Sequence, residues 1–268
     1  MLKQRLLTAL ILIPLFLLLL FKATMPVFCL VTGLIMIWGS WEWSFLMGVS
    51  RFPHCLFYPL VIVVLMLGAL ALPIIPVLYI AAGFWCVAAL LVLSFPASSG
   101  FWGTGYIIRA LMGIMVLIPC WLAVNFIRDS HQGSFMLLFL FLLIWGADSG
   151  AYFIGKLWGK NKLIPAVSPG KTWQGFFGAI GLTLLLVLAG LVYLQLPYAR
   201  WLSAIVLCMI TVLFSMVGDL FESMLKRQQG LKDSGHLLPG HGGILDRIDS
   251  VTAAAPIFAL GAVLVGKF

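Results

Sequence analysis

The chain has 268 residues, 63% hydrophobic and only 9% charged, with a formal net charge of +8. A mean hydropathy of +1.16 excludes an ordinary soluble domain and indicates a polytopic membrane protein. No polar stretch is long enough for a separate soluble domain. In such a chain the basic excess reflects positive-inside loops and anionic lipid heads rather than nucleic acid.

At roughly 20 residues per span, the length leaves room for about eight to ten membrane helices. Lys3 and Arg5 precede the apolar run Leu6–Phe21. The residues after it, Lys22 to Pro26, offer no small-x-small cleavage site, so the run reads as an uncleaved first span rather than a signal peptide. A second span covers Val27–Met47. Glu42 lies inside it between Trp41 and Trp43, and such interfacial aromatics favour a structural role for the acid. Residues 56–94 form one long apolar stretch. One helix of that length would measure about 58 Å, roughly twice a hydrocarbon core, so Pro73 and Pro76 must divide it into two spans. The Gly- and Ser-rich segment 95–106 reads as a loop. A fifth span follows at Ile107–Asn125, with a kink expected at Pro119. Arg109 near its start reads as a snorkelling anchor, with lipid phosphate as the alternative partner. The five cysteines form no CxxC pair and read as membrane-core side chains, not zinc ligands or disulfides.

The sixth span, Ser134–Ile154, carries Asp148 near its end. An acid in an apolar run is costly and marks a functional position. Asp148 and Tyr152, four residues apart, share a helix face. Lys156, Lys160, Lys162 and Lys171 then crowd into 156–175 without an acid among them, which makes the segment attractive to anions. The SPGKT piece is not a Walker A loop: position 165 is Pro where that motif needs Gly, and a membrane span precedes it instead of a strand. Spans seven to nine are expected at Phe176–Leu196, Leu202–Leu225 and Ile244–Gly266.

The stretch Gly218–Ser250 holds nine of the 24 charged side chains in 33 residues. Asp219, Glu222, Ser223 and Lys226 recur at i, i+3, i+4 and i+7, one face of a helix. Asp246 and Asp249 share another face. Between them lies PGHGG, 239–243, whose glycines let backbone N–H groups approach an anion, with a helix N-terminus behind them. Carboxylates for a hard cation, with Lys, Arg and N–H groups for phosphates, suit a Mg²⁺-bound nucleotide. The plainer alternative is a solvated loop whose charges pair with one another.

The run Ser223-x-Leu225-Lys226-Arg227, four residues, Lys232-Asp233-x-Gly235, two residues, Leu238-Pro239-x-His241-Gly242-Gly243-Ile244-x-Asp246-Arg247-Ile248-Asp249 resembles the signature of phosphatidate cytidylyltransferases, also called CDP-diacylglycerol synthases. The segment 148–175 resembles the second polar motif of the bacterial family. The resemblance implies transfer of CMP from CTP to phosphatidate, giving CDP-diacylglycerol and pyrophosphate for phospholipid biosynthesis, with Mg²⁺ and room for a second cation. On this reading Asp219, Asp246, Lys226 and Asp249 are the catalytic candidates. Ser223, Arg227, Lys232, His241, Gly242, Gly243, Arg247, Lys171 and Ser168 are the substrate-binding candidates. Asp219, Asp246, Asp249, Glu222 and Asp148 are the candidates for metal ligation. A CTP-dependent lipid kinase of related architecture is the alternative. An ion-coupled transporter fits poorly, since six of the eight acids lie between 148 and 249 near span ends rather than at mid-bilayer.

The expected fold is therefore all-α: a polytopic integral membrane protein with about nine transmembrane helices and a cytoplasmic N-terminus. Residues 1–133 would supply about five spans. Residues 134–268 would form the catalytic region, with cytoplasmic loops 155–175 and 226–243. With nine spans, twelve basic residues fall on the N-terminal side and four (Lys22, Arg128, Arg200 and Lys267) on the other, which places both polar segments in the cytoplasm. The expected location is the bacterial cytoplasmic membrane. The expected partners are CTP, phosphatidate and membrane lipids, with a homodimer among the assemblies left open.

Overall fold

The computed structural model describes residues 2–49, 51–235, 237 and 242–266, with the backbone alone for 2–9 and 11. The helices are α1 (Leu2–Lys22), α2 (Met25–Leu46), α3 (Phe57–Ala69), α4 (Ile74–Leu93), a short α5 (Ser99–Trp102), α6 (Tyr106–Asp129), α7 (Gly133–Trp158), α8 (Trp173–Tyr193), α9 (Trp201–Gln228) and α10 (Leu245–Leu264). Among the described residues, α2, α4 and α6 to α10 are long and apolar enough to cross a membrane. Two further apolar helical stretches, Leu12–Lys22 and His54–Ala69, are shorter. The chain is a polytopic helical membrane protein. Its departure from pure helix is a small antiparallel hairpin, β1 (Lys162–Ile164) with β2 (Ser168–Thr172), where the sequence suggested only a loop.

The long apolar run breaks where proline requires. Helix α3 ends at Ala69, and Pro73 stands immediately before α4 with an extended ψ of 130°. Pro76 falls in the first turn of α4, where a missing N–H costs no helical hydrogen bond. Pro119 lies within α6, which continues from Tyr106 to Asp129.

Helix α10 is the packing centre. Every residue from Ser250 to Leu260 is buried, because the run Val-Thr-Ala-Ala-Ala-Pro-Ile-Phe-Ala is apolar all round and small enough for close neighbours. Helices α9, α6, α4, α7 and α2 pack around it. The contact with α9 is especially close: a Cβ on Gly218 would lie 2.5 Å from the Asp249 carbonyl oxygen. That approach sets Asp219, the next residue, alongside Asp249. Helices α7 and α8 also meet through glycine, since a Cβ on Gly178 would come within 2.7 Å of the Gly150 oxygen. Small residues thus bring two helix pairs into close contact.

Candidate active site at one end of the bundle

The hairpin is built to present Lys171. Thr172, the residue before α8, accepts a hydrogen bond from Gly175 N at 3.1 Å through its side chain, an ordinary N-cap. Gln174 Oε1 accepts from Lys160 N and Asn161 N at 3.1 and 3.3 Å, and Trp173 N donates to Asn161 O at 2.9 Å. These bonds hold the chain entering β1 against the start of α8. Lys171 Nζ then reaches Asp219 Oδ2 of α9 at 2.7 Å. The two charged segments that the sequence shows 48 positions apart therefore share an ion pair. Arg227 reinforces the junction: Nε donates to Val167 O at the hairpin turn and Nη1 to Leu231 O beyond α9, both at 3.3 Å.

Beside that ion pair lies a cavity of about 450 Å³, with Asp148, Lys156, Lys171 and Asp219 in its wall. Asp148 lies within electrostatic reach of Asp219 and Lys171. The second oxygen of Asp219 faces Ser223 Oγ at 3.4 Å, as expected for an i, i+4 pair.

A second charged knot lies behind the first. Lys226 is buried at 7% exposure, with Nζ 2.6 Å from Asp246 Oδ1 and 3.4 Å from Glu222 Oε1. Asp246 Oδ2 accepts from Ser234 N and Ser234 Oγ, each at 3.0 Å, and from Gly243 N at 2.8 Å. Asp246 thus closes the first turn of α10 and gathers the loop after α9. Gly242 has a φ of +80°, and a Cβ there would lie 2.6 Å from Asp246 Oδ2, so the turn needs glycine on both counts. Asp249, one turn further along α10, lies within electrostatic reach of Asp219 and Glu222.

Glu42 of α2 enters the same loop. Its oxygens accept from Ile244 N at 2.9 Å, Leu245 N at 2.8 Å and Ser234 Oγ at 3.2 Å. The structural role read from its aromatic neighbours is thus a specific one, at the N-terminus of α10.

Asp148, Lys171, Asp219, Glu222, Ser223, Lys226, Asp246 and Asp249 come together as one polar region, with Gly242 and Gly243 in the turn beside it. Ser168 stands at the far end of β2 from Lys171, paired with Ile164. Arg227, Lys232 and Arg247 are exposed at its rim. His241 and His236 lie outside the described residues. Ser234, buried at 3% exposure, is a site residue that the sequence does not mark. A lone serine in a polar loop carries no signal until its partners are known.

Among the described residues no three acidic, histidine or cysteine side chains are already gathered as a metal cage. A cage is not what Mg²⁺ requires, since it keeps waters and takes one or two carboxylates together with substrate phosphates. The donors fit such an ion. Glu222 is 4% exposed, and neither of its oxygens accepts a hydrogen bond among the described residues. Lys226 Nζ stands 3.4 Å from Oε1 as an ion-pair partner, but a buried carboxylate that accepts no hydrogen bond is still costly. Three further acids converge nearby, and lysine ammonium groups already balance part of their charge.

The cytidylyltransferase family model matches residues 3–265. A phosphatidate cytidylyltransferase of Pseudomonas aeruginosa is 43% identical over 261 residues, covering 97% of this chain and 96% of the relative. The chain belongs to the phosphatidate cytidylyltransferase family. Another relative of that name, from Haemophilus influenzae, is 40% identical over 285 residues and covers 97% of this chain and 98% of its own. The match to a phosphatidate cytidylyltransferase of Staphylococcus epidermidis is 45% identical over 132 residues, 49% of this chain.

Proposed function

We propose that this chain transfers CMP from CTP to phosphatidate, forming CDP-diacylglycerol and releasing pyrophosphate. The observation that carries this reading is full-length membership of the family together with the Lys171–Asp219 ion pair, which joins the two charged segments beside a cavity. The chemistry asks little covalent help from the protein. A phosphatidate oxygen, largely deprotonated near neutral pH (second pKa about 6 for a phosphomonoester), attacks the α-phosphorus of CTP. The new P–O bond forms as the α–β bridge breaks, and the bridging electrons leave with pyrophosphate. What remains is to align two anions and hold the departing charge.

The cavity suits an amphipathic acceptor. Its charged wall at Asp148, Lys156, Lys171 and Asp219 continues into Ala147, Phe176 and Met216. A lipid phosphate can meet the charges while its acyl chains lie along the apolar wall toward the bilayer. Lys171 and Lys156 attract the phosphates. Asp219, Asp249 and Glu222 are the carboxylates available to a divalent cation, with Asp148 at the cavity edge. Asp246 already has both oxygens engaged and supports the site mainly by fixing Lys226 and the loop. Bound Mg²⁺ would supply charge neutralisation at the triphosphate.

The test uses CTP labelled separately at the α and γ phosphates, with purified protein and phosphatidate in lipid. The α label is expected in the lipid and the γ label in pyrophosphate, with chelator abolishing both and Mg²⁺ restoring them. A γ label in the lipid with release of CDP would overturn the reading in favour of a lipid kinase.

On this reading nine helices cross the membrane, α1 and α3 included, with the active end in the bacterial cytoplasm where CTP is found. The excess of basic residues at that end supports it. Gly230 and Asn161 are both exposed. In a cysteine-free background, cysteine at either position is expected to react with an impermeant thiol reagent only after the cytoplasmic face is opened. Reaction in intact cells would reverse the orientation.

A further inference from the structure

We infer that Glu42 is a positioning residue for this reaction: it clamps the loop between α9 and α10 and thereby sets Asp246 and Lys226. The inference rests on the reading above for its kinetic consequence, but its structural basis is independent. Glu42 belongs to the N-terminal helices, 192 to 203 positions away from the groups it holds. It is fully buried. Its two oxygens take two consecutive backbone N–H groups, Ile244 and Leu245, at the very start of α10. Those are donors that a helix N-terminus leaves without internal partners, and the helix dipole favours an anion there.

The fit is close on every side. A Cβ on Gly243 would lie 2.5 Å from Glu42 Oε2, and one on Gly235 would lie 2.5 Å from Oε1. Glycine at positions 235 and 243 is therefore explained by the carboxylate between them. No lysine or arginine forms an ion pair with Glu42 among the described residues. Among the described residues the side chain is held by loop and helix donors alone.

The link to the site runs through Ser234. Its hydroxyl lies 3.2 Å from Glu42 Oε2 and 3.0 Å from Asp246 Oδ2. Asp246 in turn holds Lys226 at 2.6 Å. A continuous set of hydrogen bonds thus connects α2 to the buried lysine of α9. One hydroxyl proton cannot serve both carboxylates at once, but the other donors to each keep both in place. Loss of the Glu42 charge would free the start of α10 and let Asp246 turn away from Lys226.

The experiment compares Glu42→Gln, Glu42→Ala, Ser234→Ala and the double variant Glu42→Gln/Ser234→Ala in lipid nanodiscs. Trp43→Phe serves as the packing control. Trp43 is the next residue of α2, buried, and donates to Arg109 O at 2.9 Å, so its loss loosens α2 without touching the loop. Glu42→Gln is expected to lower kcat about tenfold, and Glu42→Ala more, with KM for phosphatidate within about twofold of the parent. The double variant is expected to be no slower than the slower single variant, since both act along one path. Trp43→Phe is expected to lower the melting temperature at least as much as Glu42→Gln while keeping kcat. Amide exchange at residues 243–245 reports the clamp without any substrate and is expected to quicken in both Glu42 variants but not in Trp43→Phe. Unchanged exchange there, strictly multiplicative losses of kcat, or an equal fall in kcat for Trp43→Phe would each overturn the inference. Quickened exchange in a protein whose parent transfers no CMP would retain the clamp and reject the proposed reaction instead.

Discussion

Asp219→Asn is expected to lower kcat by about a hundredfold or more, with the protein still inserting and purifying normally. The side chain keeps its size, so packing against α10 through Gly218 is undisturbed. Its chemistry changes on both oxygens. Oδ2 now meets the Lys171 ammonium at 2.7 Å, and an amide there either weakens that contact or turns its own N–H donors toward a cation. Oδ1 loses charge opposite Ser223. Lys171 then has no fixed anchor, and the negative charge available to a divalent cation falls by one. Removing one preorganised electrostatic group from an active site typically costs about 10²–10³ in kcat. Turnover measured across a Mg²⁺ series checks this: the variant should need more Mg²⁺ and still fail to reach parental kcat. Asp129→Asn, at the C-terminal end of α6, is the control and should turn over like the parent. Near-parental turnover of Asp219→Asn at limiting Mg²⁺ would leave Asp219 a structural partner of Lys171 only.

Much of this organisation is legible in the chain because it is local. Hydropathy places the helices: spans expected at Val27–Met47 and Ser134–Ile154 are found as Met25–Leu46 and Gly133–Trp158. Proline places the break near 73. Charge in an apolar chain marks both polar segments, since an acid near a bilayer core is hard to retain without use. The partnerships are what the sequence does not disclose. Spacing puts Lys226 on the Asp219 face, seven residues on. In the fold Asp219 is met by Lys171 from the hairpin, and Lys226 turns to Glu222 and Asp246. The hairpin itself has no alternating β-branched pattern. It exists because Thr172, Gln174 and Arg227 tie a lysine-rich loop to helix ends. Glu42 is the extreme case, because its partners are backbone N–H groups and a serine more than 190 positions away, which leave no pattern near Glu42 itself.

Lys226→Ala is expected to be the most damaging single change, because it removes the cation from between two acids that are otherwise buried together. Lys226 and Glu222 are 7% and 4% exposed, and Asp246 lies 2.6 Å from the ammonium. Breaking a buried ion pair by removing one partner costs about 3–5 kcal/mol, since the remaining charge is left uncompensated. Here two carboxylates are left, and salt screens such a buried site poorly. Thermal unfolding in detergent should show the loss directly, with turnover down by at least the hundredfold expected at Asp219. Lys22→Ala, exposed at the end of α1, should change either quantity little. A compensated variant separates the two effects. Lys226→Met with Glu222→Gln removes one charge of each sign and keeps side-chain volume, so stability should return in part, with Asp246 still held by its Ser234 and Gly243 donors. Activity should not return, because Asp246 Oδ1 still lacks the donor that holds the loop and Glu222 no longer offers its charge to the site. Recovery of both stability and turnover in the compensated variant would show that Lys226 is only a counter-charge and that the signature loop needs no lysine to work.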